Sequence, residues 1–369
     1  MSWSVTTNFD GGGACDLTID TTLNTIDAVF NDPWVSTGLM VWRVDDALGE
    51  TITLTADAGF RQPSSHRMWY SYDYGPYSWR EFDDTVDGGW THTFDSDQVY
   101  ISSFPQYPYG HIVDRVTDLD SHPYVTDTGV YGQSVEGRDM HYIEISDPSV
   151  ANSQKDAIIA ITRQHPGETP GSYHMDAMIN DVLIKLQREM FEDDYVFHFL
   201  PDTNPDGIYH ASDRHHLSGV DMNREWLDSN PVPEVTTIKS YIDGVALDHN
   251  LFWSWDLHAT TNPGFDAIHY DSRPVGSEEL TWINQMDNHI ISLTGTNSQS
   301  HTTGFFNNWM ADSHNTPCVS TEAWYFHPYM FQEMRREGEA VFGETVDVFT
   351  DFDVTTLVRE NGAWVDTNE

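Results

Sequence analysis

The sequence predicts two domains of different class, an N-terminal antiparallel β-sandwich and then an α/β layer structure with a largely parallel sheet. Three observations carry this. The chain has 369 residues, the length of about two domains at roughly 150 residues each. From Ser2 to about Pro105, short alternating runs are separated by Gly, Asp and Pro clusters, at the roughly ten-residue spacing of a sandwich. Beyond about Val125, short apolar runs alternate with stretches of helical period, and strands alternating with helices imply stacked α and β layers.

In chain order, the first strands are DLTIDTTL, GLMVWRVDD, ETITLTADA, RMWYSYDYG, YSWREFD and WTHTFDSDQVYISS. Residues 105–127, PQYPYGHIVDRVTDLDSHPYVTD, hold three prolines and no clean period, so they read as the connector. The domains are expected at 1–120 and 121–369. In the second, HYIEIS, DAIIAIT, YVFHFLP, FWSWDLH and PCVSTEAWY are strands, and SYHMDAMINDVLIKLQREMF, PEVTTIKSYIDG, EELTWINQMDNHIISL and YMFQEMRREGEAVFGETVDVF are helices. Met175, Met178, Ile179, Val182, Leu183 and Leu186 recur at three- and four-residue steps, the stripe of an amphipathic helix.

Composition excludes several functions. Apolar residues make up 38% and aromatics 13%, enough for a large core and against wholesale disorder. Lys and Arg number 17 against 59 Asp and Glu, a formal charge of −42, which repels nucleic-acid backbones and anionic membranes alike. The acids are spread along the chain and only three lysines occur; such a surface repels itself in dilute salt and relaxes as salt screens it. That pattern reads as adaptation to a salt-rich cytoplasm. Cys15 and Cys318 are too few for a disulfide framework and read as reduced, buried thiols. The start lacks a signal-peptide pattern and no apolar run approaches the ~20 residues that span a bilayer, so a soluble cytoplasmic protein is expected.

Ligands of open α/β sheets gather beyond the carboxyl ends of the strands. DAIIAIT is followed at once by His165 and Glu168 in an H-P-G-E turn, FWSWDLH ends at His258, and Glu322 stands inside the apolar run VSTEAW. Catalytic zinc takes three ligands from His and carboxylate and leaves a fourth position for water. An H-x-x-E pair with a further His supplies such a set, although H-x-x-E alone is common.

The segment TRQHPGETPGS (162–172) resembles the zinc-ligand motif of the zinc metallocarboxypeptidases, in their cytosolic carboxypeptidase branch. NPDG (204–207), Arg214 and GVDMNREW (219–226) resemble the next signature, GQSVEGRDM (132–140) the opening strand, and DLHATT (256–261) the third-ligand segment. These motifs lie within 125–330, and the β-rich first third fits the N-terminal sandwich of that branch. The resemblance implies an α/β/α peptidase domain with a mixed, largely parallel sheet, and one zinc ion held by His165, Glu168 and His258. It implies Glu322 as the catalytic carboxylate, taking a proton from metal-activated water and passing it to the leaving amine. It implies Arg214 as the oxyanion donor, and Asn223 and Arg224 as the grip on a substrate's terminal carboxylate, which a guanidinium fork binds in bidentate fashion. Asp256 is open between orienting His258 and an ordinary structural part as a helix cap or strand-end ion pair.

Two departures bear on specificity. The stretch NSQSHTTGFFNNWMADSHNTP (297–317) has no tyrosine where many members close over the substrate, and His301 is the candidate replacement. Phe305 and Phe306 would make the side-chain pocket apolar, and no Lys or Arg lies between Arg273 and Arg335 to select an acidic residue. The expected function is hydrolysis of C-terminal amino acids from peptides or protein tails. The alternatives are a zinc amidohydrolase of N-acyl amino acids or amide cross-links, and a non-catalytic binding protein built on the sandwich.

Overall fold

The structure is a computed structural model that describes residues 3–13, 15–30, 39–57, 68–82, 84–86, 89–188, 195–260, 267–270, 299–300, 304–324, 357–360 and 363–366. Its first region holds β1 (Ser4–Thr6), β2 (Cys15–Asp20), β3 (Thr25–Phe30), β4 (Val41–Asp45), β5 (Thr51–Asp57), β6 (Trp69–Ser71), β7 (Arg80–Glu81), β8 (Asp84–Val86), β9 (Gly89–Thr93) and β10 (Gln98–Ser102). They form two sheets, β1-β4-β10-β6-β7 and β2-β3-β5-β9-β8, antiparallel throughout except that β3 and β5 run parallel. Trp42, Val44, Val99 and Ile101 of one sheet meet Ile26, Ile52 and Leu54 of the other in a single core, which is the packing of a sandwich. Strand β3 is absent from the sequence reading because its alternation is faint. Its inward residues are Ile26 and the small Ala28, while Val29 faces out at 48% exposure.

The connector proves to be partly helical. Helix α1 (Tyr109–Leu119) buries Ile112, Val116 and Leu119, one stripe at the helical period. The prolines that obscured it, Pro105, Pro108 and Pro123, all lie outside the helix body. Its buried face joins a cluster shared by Leu39, Val41, Trp69 and Phe104 from the sandwich side with Ile143, Ile158 and Met178 from the following region.

That region contains β11 (Val125–Gln133), β12 (Asp139–Ser146), β13 (Asp156–Thr162), α2 (Pro170–Gln187), β14 (Tyr195–Leu200), α3 (Pro205–Tyr209), α4 (Pro233–Asp248), β15 (Leu251–Thr260), β16 (Ala267–Tyr270), β17 (Gln299–Ser300), α5 (Phe306–His314) and β18 (Cys318–Trp324). The sheet order is β11-β12-β14-β13-β15-β18-β16-β17. Strands β14, β13, β15 and β18 are mutually parallel at its centre, flanked by antiparallel pairs. Central strands buried on both faces need continuous apolar runs, and DAIIAIT supplies one. Ile158 and Ala160 face the cluster with α1 and α2, whereas Ala157, Ile159 and Ile161 face the cluster with α4 and α5. A two-stranded hairpin, β19 (Leu357–Glu360) and β20 (Ala363–Asp366), completes the described chain.

Neither cysteine is in a disulfide. Cys318 is buried as expected, but Cys15 is only half-buried on strand β2, where its side chain is turned back toward the Gly13 carbonyl. Among the described residues no helix is long and apolar enough to cross a membrane. The helices read over residues 278–293 and 329–349, and His301, lie outside the described residues.

Candidate metal centre

The site starts where β13 stops. Arg163 takes a left-handed backbone at φ 65°, and its guanidinium donates to the carbonyls of Pro166 (2.8 Å) and Tyr107 (3.0 Å) and to Ser172 Oγ (2.9 Å). The strand is thereby turned into the H-P-G-E loop, which the Glu168 amide closes by donating to the His165 carbonyl at 3.1 Å. A side chain at position 167 is excluded, since a Cβ there would sit 2.4 Å from the Asp213 carbonyl oxygen. The turn sets His165 and Glu168 side by side, with His165 Nδ1 2.7 Å from Glu168 Oε1.

The third member arrives from the neighbouring strand. Alternation along β15 sends Trp253, Trp255 and Leu257 toward α2 and leaves Ser254, Asp256 and His258 on the opposite face. His258 Nδ1 lies 2.7 Å from Glu168 Oε2, an oxygen that also accepts from the Ala259 amide at 3.0 Å. His165, Glu168 and His258, all buried, thus offer ligand atoms within 4.8 Å of one another. Burial alone would raise the Glu168 pKa, but the attraction of His165 and His258 outweighs it and holds the carboxyl well below its usual range.

Each imidazole is gripped on its far side. His165 Nε2 meets Asp221 Oδ1 at 3.0 Å, and His258 Nε2 meets Asp256 Oδ2 at 2.9 Å. A far-side carboxylate keeps the proton on Nε2 and turns the Nδ1 lone pair inward, the arrangement of a metal-ligating histidine. Two inward nitrogens and a carboxylate match the donor set of a catalytic zinc site. Of the two readings left open for Asp256, its position behind His258 favours the orienting one.

The remaining candidates surround this centre. Arg214 donates through Nε (3.0 Å) and Nη2 (2.7 Å) to Asp221 Oδ2, which leaves Nη1 facing the centre, 3.5 Å from His165 Nδ1 and 3.9 Å from Glu168 Oε1. Glu322 is the register partner of His258 on β18, so both side chains leave the sheet on one face. Burial, and then the negative charge of Glu168, pushes its carboxyl up to about 8. Asn223 accepts the Phe306 amide on Oδ1 at 3.1 Å and points Nδ2 at His258 Nε2, 2.9 Å away. The Arg224 guanidinium lies 4.1 Å over the Phe305 ring. Phe306 corrects an expectation, because it is fully buried against Trp226 at 4.7 Å between ring centres and so belongs to the core of α5 rather than to a pocket wall.

Sequence reasoning missed Asp221 and Gln164. Asp221 sits two residues before Asn223 in GVDMNREW. It caps the short helical turn Met222–Arg224 by accepting the Asn223 amide, while joining His165 to Arg214. The signal was a carboxylate inside an already singled-out motif. Gln164 precedes His165 and carries no motif of its own.

Residues 113–243 match the model of the zinc carboxypeptidase family, a span that includes His165, Glu168, Arg214, Asn223 and Arg224. The similarity to that family covers this segment of the chain. Mouse cytosolic carboxypeptidase 6 is 38% identical over 104 residues, which is 27% of this chain and 19% of the mouse protein. Cytosolic carboxypeptidase 2 of Xenopus tropicalis is 29% identical over 180 residues, 46% of this chain and 19% of the frog protein. The chain thus spans about a fifth of the length of these relatives. A metallo-carboxypeptidase from Burkholderia cenocepacia superposes with a TM-score of 0.77 at 20% identity, covering 95% of this chain and all of that one (100%). One from Pseudomonas aeruginosa, in complex with (2-guanidinoethylmercapto)succinic acid, gives 0.71 at 18% identity, covering 95% and 99%. These similarities establish a common fold that extends across the sandwich as well as the α/β region.

Proposed function

We propose that the protein is a zinc-dependent metallocarboxypeptidase that removes C-terminal amino acids from peptides or protein tails. The convergence of His165, Glu168 and His258 from two strand ends, with Glu322 one strand across, carries this reading. One zinc ion held by those three side chains would supply a Lewis acid and bring the pKa of water down toward ~7. Glu322, with a carboxyl near neutrality, is matched both to take a proton from attacking water and to give it to the departing amine. Arg214 Nη1 faces the developing oxyanion, a donor role that typically contributes about 3–4 kcal/mol in the transition state. Arg224 and Asn223 hold the free carboxylate of the terminal residue and so set the exopeptidase register.

The relatives' name and the anionic composition support a cytoplasmic, salt-adapted enzyme, with peptide C-termini rather than nucleic acid or membrane as partner. The test compares one peptide with a free and an amidated C-terminus, using zinc-loaded and chelator-treated protein. The free peptide should lose its last residue only with zinc present, and the amidated one should resist. Equal cleavage of both would remove carboxylate anchoring from the account.

A further inference from the structure

We infer that Gln164 is a positioning residue of the metal centre, its buried side-chain amide holding Asp256 and, through Asp256, the ring of His258. This rests on the reading of His258 as a zinc ligand. Gln164 and Asp256 are both fully buried. Gln164 Nε2 donates to Asp256 Oδ1 at 2.7 Å, and its Oε1 accepts the indole N–H of Trp226 at 2.6 Å. An indole nitrogen only donates and an ionised carboxylate only accepts, so the amide has a single orientation that satisfies both. A carboxylate or an ammonium at this position would satisfy one neighbour and oppose the other.

The consequence appears at His258 Nε2, where the two nearest neighbours make opposite demands and Gln164 Nε2 itself stands farther off at 3.5 Å. Asp256 Oδ2, at 2.9 Å, calls for a proton on that nitrogen, and Asn223 Nδ2, also at 2.9 Å, calls for a lone pair. A hydrogen bond to a carboxylate is roughly twice as strong as one between neutral groups, so the tautomer with its N–H on Nε2 is the one that Asp256, held in place, selects. Among the described residues, the other contacts that Asp256 accepts from outside its own strand are long, from Ser320 Oγ at 3.3 Å and Asn223 Nδ2 at 3.4 Å. Rotation of a terminal carboxylate is soft, which makes the short bond from Gln164 the main restraint on its plane. With the proton fixed on Nε2, the Nδ1 lone pair is presented beside Glu168 and the Asn223 amide is released for the substrate.

The test is a double-mutant cycle on the zinc dissociation constant, measured by competition with a chromogenic chelator for wild type, Gln164→Met, Asp256→Ala and the double variant. Gln164→Met should weaken zinc roughly 10-fold or more, in the range usual for partners of metal-ligating histidines. Asp256→Ala should weaken it at least as much, and the double variant should be no worse than Asp256→Ala alone. Trp226→Phe keeps the packing but removes the donor to Gln164, and it should shift affinity in the same direction by less, only when Asp256 is present. That variant carries the test if Gln164→Met does not fold. An unchanged affinity in Gln164→Met, or an equal loss with and without Asp256, overturns the inference. Wild-type protein that takes up no zinc overturns the metal-centre reading and this inference with it.

Discussion

Among the described residues before Ser134, the buried polar side chains are Ser71, Ser102, Ser103 and Gln106, none of them ionisable. From Ser134 onward the interior also holds Arg163, Glu168, Asp202, Asp206, Glu234 and Asp256. A charge taken out of water costs several kcal/mol unless it is paired, and the second region pairs them. Asp206 accepts from Arg138 Nη1 at 2.7 Å, Asp202 lies 2.6 Å from His141 Nδ1, and Glu234 lies 3.2 Å from His216 Nε2. The described interior of the sandwich is an apolar cluster, while the α/β region spends part of its interior on charge. The difference teaches where chemistry is housed, because buried charge in quantity is retained where it performs a task.

The largest effect expected from this contrast is at Glu322. Glu322→Gln should lower kcat by roughly 10²–10⁴, the usual contribution of a general base, with zinc content unchanged. The same substitution should leave the folding midpoint equal or higher, since an amide replaces an acid that burial disfavours as an anion. Unchanged turnover would refute the assigned role, and a lowered midpoint would mean that the charge serves the fold.

A smaller effect is expected from acid. His174 is pushed down to about 4 by burial, and His198 to about 3 by burial and then by the charge of His249. Both are neutral in the fold and protonate in the unfolded chain near pH ~6.5. Their contribution is therefore full above ~6.5 and declines as pH falls toward the folded values, by an amount on the order of 3 kcal/mol each. Hydrogen exchange between pH 7 and 4 should show the α/β region opening ahead of the sandwich, which has no buried histidine among its described residues. Simultaneous loss of protection in both regions would break the contrast.

The smallest effect is one the two regions share. Raising salt from ~0.1 M to ~1 M shortens the Debye length from ~10 to ~3 Å, and a surface at −42 should gain a few degrees of thermal midpoint in consequence. A flat or falling midpoint would remove salt adaptation from the description.

Most of the architecture was legible because it rests on local patterns. DAIIAIT and FWSWDLH carried their strand assignments in their own periods, and α2 in its stripe of Met and Leu. The exceptions have physical causes. Helix α1 was hidden by prolines that lie beside it rather than in it, and β3 by an inward alanine and an outward valine. At the site, the H-P-G-E turn was readable because its geometry is local. The supports were not, since Asp221 meets His165 across 56 positions and Gln164 meets Asp256 across 92.

The chain on its own determined that a sandwich would precede a largely parallel sheet, and that His165 and Glu168 would stand together. Only the tertiary structure decided that His258, 90 positions beyond Glu168, shares its carboxylate, that Phe306 is core, and that an amide and two aspartates govern the imidazoles. Periodicity and turns act between neighbours in sequence, whereas hydrogen bonds and Coulomb forces depend on separation in space, which exists only once the strands are side by side.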